Sequence, residues 1–128
     1  MKTDDAKAIV QPLIQEFTQQ HFEVLIASVC TEDGFVLAHQ NGRSADLEDD
    51  KIAALSSTLL SLAEAAAKVI KCGELKVNII EAKKANIVVV KSRYRDLPIV
   101  VTVAANASLS IGQVLFIANR LSNRISGS

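Results

Sequence analysis

The sequence predicts an α/β fold: a three-layer α/β/α sandwich on one five-stranded antiparallel sheet, in the order α-β-β-α-β-β-β-α. Two strand-length runs, Val24–Val29 (VLIASV) and Ile87–Val90 (IVVV), are apolar without alternation, so both faces of their sheet are covered. Three segments carry apolar residues at helical spacing and must divide between those faces. The length of 128 residues, with 49% apolar and 22% charged side chains, suits one globular domain over 1–128.

Each element has a local reason. Residues 4–19 place Ile9, Val10, Leu13, Ile14 and Phe17 at spacings of three and four. Pro12 clashes with the carbonyl of Ala8, which predicts a kink or a helix regular only from Gln11 onward. Val24–Cys30 reads as a strand, Thr31-Glu32-Asp33-Gly34 as a turn with Gly34 at positive φ, and Phe35–Gln40 as the returning arm. Asn41-Gly42-Arg43-Ser44 reads as a loop.

The longest helix runs from about Leu47 to Cys72. Asp46, Glu48, Asp49 and Asp50 complement the macrodipole at its start, Lys68 and Lys71 at its end, and Gly73 is the expected stop. Strands follow at Leu75–Glu81, Ile87–Arg93 and Leu97–Ala104, with Pro98 at a strand start where its missing N–H costs little. Ser110 and Gln113 form a capping-box pair for a last helix, Ile111–Ile125.

The long helix carries two apolar stripes. Ile52, Leu55, Leu59, Leu62, Ala66 and Val69 form the bulky one, which is assigned to the sheet. Ser56, Leu60, Ala63, Ala67 and Ile70 form a second, with small residues that let another helix approach. The second stripe packs either on a loop of its own chain or in a dimer seam. Leu75–Glu81 favours the seam: with Lys76 and Asn78 on one face it has the polarity of an edge strand, able to pair with a second copy. The expected interface is therefore Ser56, Leu60, Ala63, Ala67, Ile70, Lys76 and Asn78.

Fourteen basic and fourteen acidic residues give zero net charge, which argues against nucleic acid as a partner. The distribution is uneven. Residues 1–67 hold 4 basic and 11 acidic side chains, and residues 68–95 hold 8 basic and 2 acidic. The basic stretch is a solvated edge or a docking patch for an acidic protein, and only Tyr94 is available in it to stack on a base. No apolar run approaches the ~18 residues of a membrane helix, and no apolar leader follows Met1, so a soluble, cytoplasmic protein is expected. Cys30 and Cys72 read as reduced, buried thiols.

No phosphate-binding glycine loop, zinc-binding histidine pair or nucleophile elbow occurs. His21 and His39 stand alone. The acidic cluster at 46–50 lacks the glycine and terminal glutamate of a calcium loop. Arg43 reads as a solvated loop residue rather than an arginine finger. No catalytic residue, metal or cofactor is expected; the sequence describes a binding protein and not an enzyme.

Three segments in this order resemble the Roadblock/dynein light-chain domain family. They are the strand-turn-strand Val24–Ala38, the helix DDKIAALSSTLLSLAEAAAKVI with Gly73 and ELKVNIIE after it, and the last strand running into ANASLSIGQVLFIANRLSNRI. The resemblance implies dimers formed through the third strand and second helix, and a regulator (in some cases a GTPase activator) or scaffold for a Ras-like small GTPase. The alternatives are a small-ligand sensor on a profilin-like or longin-like scaffold and a purely structural subunit of a larger complex.

Overall fold

A computed structural model describes residues 2–43 and 45–128. Its elements are α1 (Lys2–Gln20), β1 (Val24–Thr31), β2 (Val36–Asn41), α2 (Asp49–Val69), β3 (Val77–Glu81), β4 (Ala85–Tyr94), β5 (Leu97–Asn106) and α3 (Ile111–Ser126). The strands form one sheet in the order β2-β1-β5-β4-β3, with every neighbouring pair antiparallel. β2 and β3 are therefore the edges, and the element order is the one predicted.

α1 and α3 cover one face. Val10, Ile14 and Phe17 of α1 and Val114, Leu121 and Ile125 of α3 pack on Val29, Val88, Val101 and Val103. α2 covers the other face, where Ile52 meets Ile26 and Ala104, and Leu60 meets Val89 and Val100. The unbroken apolar runs of β1, β4 and β5 are thus buried on both sides.

Local chemistry explains the joints. Gly34 takes φ 101° in the β1–β2 turn, where Thr31 Oγ1 accepts from Phe35 N–H at 3.0 Å. A Cβ at Gly42 would collide with the Val24 carbonyl, and Gly42 N–H donates to Leu25 O at 2.7 Å, so the chain leaves β2 in contact with β1. Both halves of the Ser110–Gln113 capping box are formed.

Several boundaries differ from expectation. α1 is helical from Lys2 straight through Pro12, because the carbonyl of Ala8 tolerates one lost bond in a helix packed along its length. α2 ends before Gly73. Ile70 is its C-cap, Lys71 takes φ 61°, and Cys72 N–H reaches back to Ala67 O at 2.8 Å while Lys71 N–H reaches Lys68 O at 3.2 Å. That is a Schellman turn built on a lysine, two residues ahead of the glycine. β3 starts at Val77 rather than Leu75. Asn41 belongs to β2, and the predicted loop's Ser44 lies outside the described residues. Cys72 is exposed and only Cys30 is buried. α2 is also long and apolar enough, by length and composition, to cross a membrane, since residues 52–69 carry only Glu64 and Lys68 as charges. Its apolar side chains divide between the sheet and an exposed face.

Candidate partner interface

α2 is rotated relative to expectation, so that of the bulky stripe only Ile52 is buried and Leu59 half-buried. The buried residues of the helix are Ile52, Ala53, Ser56 and Leu60, whereas Leu55, Leu62 and Val69 are 41%, 64% and 80% exposed. The small-residue stripe therefore lies on this chain's own sheet, where Ser56 Oγ hydrogen-bonds Thr102 Oγ1 at 2.9 Å. Small residues let a helix lie close to a sheet as readily as to another helix, and Thr102 gives the hydroxyl of Ser56 a partner. Size alone favoured the bulky stripe for the core, and that is the assignment the structure corrects.

Of the interface residues expected from the sequence, Ser56 and Leu60 are buried inside the fold. Ala63 and Ala67 are half-buried on the same face. Ile70 is 72% exposed, and Lys76 is exposed ahead of β3. Asn78 is half-buried, and its Nδ2 donates to Leu59 O at 3.3 Å. This bond marks the flank of α2 that borders the free edge of β3. At 100° per residue, Leu55, Leu62 and Val69 lie about 40°, 60° and 80° round the helix from Leu59, away from Ser56. The uncovered apolar stripe and the unpaired strand edge are thus neighbours.

The opposite flank of α2 is polar and tied down. Glu64 Oε2 accepts from Lys91 Nζ at 3.0 Å, and Glu32 lies 4.0 Å from the same ammonium. The Glu64 hydrogen bond raises the Lys91 pKa above its usual value. At the helix start, His39 Nε2 lies 2.9 Å from Leu47 O, and Asn41 Oδ1 accepts from Leu47 N–H at 3.1 Å. These bonds hold the segment entering α2 against the β2 edge, so that edge is partly occupied and the β3 edge is open.

Among the described residues, no group of three or more His, Cys, Asp or Glu side chains is placed to hold a metal. His21 packs against Phe17 with ring centroids 4.8 Å apart and the rings tilted by 48°, and Arg43 is an exposed turn residue. Burial pushes the Cys30 thiol up to about 11, the opposite of what a nucleophile needs. The arrangement offers surface for association.

Comparison with known proteins agrees on the architecture. An MglB from Myxococcus xanthus superimposes with a TM-score of 0.75 at 14% identity, covering 99% of this chain and 89% of that one. The gliding protein MglB of Thermus thermophilus gives 0.74 at 17% identity, covering 93% and 90%. A structure described as MglB with tetrameric arrangement gives 0.73 at 17% identity, covering 91% and 84%. No curated protein sequence matches closely enough to add a relative. The model of the Roadblock/LC7 domain matches residues 11–108, which span α1 from Gln11 through the end of β5. The chain belongs to the Roadblock/LC7 domain family.

Proposed function

We propose that this chain is a one-domain, non-catalytic module that pairs with itself and, as a dimer, regulates or scaffolds a Ras-like small GTPase in the cytoplasm. The observation that carries the self-association is the apolar stripe Leu55–Leu62–Val69 lying uncovered beside the free edge of β3. Burying a leucine or valine contributes about 1.5–3 kcal/mol, so a stripe of three opposite its own copy is a substantial driving force. The description of one MglB structure as tetrameric supports self-association in relatives. Ile70, Lys76 and the half-buried Ala63 and Ala67 stay at the rim of the proposed seam, while Ser56 and Leu60 drop out of it.

Family membership supports the regulatory reading. Any effect on hydrolysis would act through the GTPase's own switch residues, ordered by the docked dimer. The test is a pull-down with the tagged chain in excess GDP and again with a non-hydrolysable GTP analogue. Enrichment of a Ras-sized GTPase with the analogue supports regulation, and equal recovery supports a scaffold. Recovery in neither overturns the GTPase reading.

A further inference from the structure

The chain leaves β2 through Asn41-Gly42, the one Asn-Gly pair in the sequence. Its surroundings fix both residues. A Cβ at position 42 would run into the Val24 carbonyl, so only glycine fits, and Gly42 N–H donates to Leu25 O at 2.7 Å. The side chain at 41 meets both backbone polar groups of Leu47: Oδ1 accepts from Leu47 N–H at 3.1 Å, and Nδ2 donates to Leu47 O at 3.2 Å. That calls for a donor and an acceptor together on a short stem, which an asparagine amide supplies. His39 Nε2, 3.1 Å from the same Oδ1 and 2.9 Å from Leu47 O, completes the cluster.

The pair the fold demands is also a reactive one. An asparagine amide carbon is an electrophile, and the backbone nitrogen of the next residue can attack it to close a cyclic imide. Bulk on that next residue obstructs the attack, and glycine, without a Cβ, obstructs it least. Gly42 N gives up its proton and bonds to Asn41 Cγ, the Cγ–Nδ2 bond breaks, and Nδ2 leaves with the proton as ammonia. Water then opens the imide. Opening at the side-chain carbonyl gives aspartate, and opening at the main-chain carbonyl gives isoaspartate, whose backbone runs through Cβ.

In the folded chain both reactants are occupied. Gly42 N–H is committed to Leu25 O and the Asn41 amide to Leu47, so the end of β2 must open before the attack. Conversion then removes what held it shut. Where Nδ2 donated to Leu47 O, a carboxylate oxygen would face another acceptor. A helix N-terminus favours negative charge, but Asp46, Glu48, Asp49 and Asp50 already crowd this one. Isoaspartate would in addition lengthen the main chain by a methylene at the position opposite Ile26.

We propose that Asn41-Gly42 is a deamidation site built into the fold, latched in the native state, and that its conversion releases the segment entering α2 from the edge of β2.

The test incubates the full chain in mildly alkaline buffer, once folded and once in urea, and follows each asparagine by peptide mass mapping. In urea, Asn41 should convert ahead of the other five asparagines, Asn78, Asn86, Asn106, Asn119 and Asn123, none of which precedes glycine. In the folded chain it should convert at least about tenfold more slowly, because several hydrogen bonds must open together. Equal rates in the two states would remove the latch, and earlier conversion of another asparagine would remove the site; either overturns the proposal. Release is read separately, by hydrogen exchange of Asn41→Asp and of the converted fraction isolated from the aged protein by its added charge. The amides of Ile52 and Ala53 at the start of α2 should exchange several-fold faster than in the unconverted chain, with Val114 and Leu121 of α3 unchanged. Unchanged exchange at Ile52 and Ala53 would make conversion silent. Loss of protection in α3 as well would mean that the whole domain unfolds rather than one segment, and it counts equally against the proposal.

Discussion

Ser56 on α2 and Thr102 on β5 form a hydroxyl pair at 2.9 Å, both side chains buried between helix and sheet. The pair sits between two apolar contacts, Ile52 on one side and Leu60 on the other. Ser28, opposite Thr102 in the register, adds a third buried hydroxyl, and its Oγ has no protein partner. Removing one member of the pair strands the other, which costs about 1–3 kcal/mol. Thr102→Val should therefore lower unfolding stability by that amount, and adding Ser56→Ala should recover part of the loss. A urea-denaturation double-mutant cycle measures this; additive losses would show that the two hydroxyls do not act as a pair.

Two leucines only two residues apart on α2 should behave in opposite ways. Leu60 is 3% exposed against Val89 and Val100, whereas Leu62 is 64% exposed. Leu60→Glu buries a carboxylate in an apolar contact and should cost more than about 3 kcal/mol, enough to unfold much of the population. Leu62→Glu should keep the circular dichroism spectrum and melting temperature of the isolated domain while abolishing self-association. Light scattering of the two variants separates the effects, and a dimeric Leu62→Glu protein would rule out the stripe as the seam.

The contrast shows where the sequence is legible. Strands, helices, the edge character of β3 and the Ser110 cap follow from period, polarity, turn residues and capping chemistry, all of which are local. The orientation of α2 about its axis is not local. Both stripes have the helical period, and the choice between them depends on Thr102, 46 residues from Ser56, meeting a serine rather than a leucine. Glu64 held a usable clue, because its partner Lys91 is the charged residue that interrupts the apolar run of β4, and the pair fixes which flank of α2 faces β1.

The end of α2 escaped for a different reason. A left-handed residue is expected to be glycine, and Lys71 takes φ 61° with Gly73 two residues away. An L-residue in this conformation is disfavoured by roughly 1–2 kcal/mol. Lys71→Gly relieves that cost, partly offset by the freer unfolded chain, and should stabilise by about 0.5–1 kcal/mol. A rise of a few degrees in melting temperature checks it. An unchanged or lower value would mean the lysine side chain contributes as much through its position at the helix C-terminus as its backbone costs.

The two thiols provide a pH-dependent prediction. Cys72 is exposed and Cys30 buried, with burial raising the Cys30 pKa from 9.0 to about 11. A thiol reagent near pH 8 should label one cysteine per native chain and two per denatured chain. The same shift acts on stability. Between pH 9 and 11 the unfolded state loses the Cys30 proton while the folded state keeps it, so the folded state binds more protons and unfolding becomes easier as pH rises. Below pH 9 both states keep the proton and the contribution is fully present. Stability measured by urea titration should therefore fall from pH 9 to 11 more steeply than in a Cys30→Ala variant, whose lower starting stability reflects the cavity but whose slope lacks this proton. Equal slopes in the two proteins would show that the Cys30 thiol ionises as easily in the folded chain as in the unfolded one.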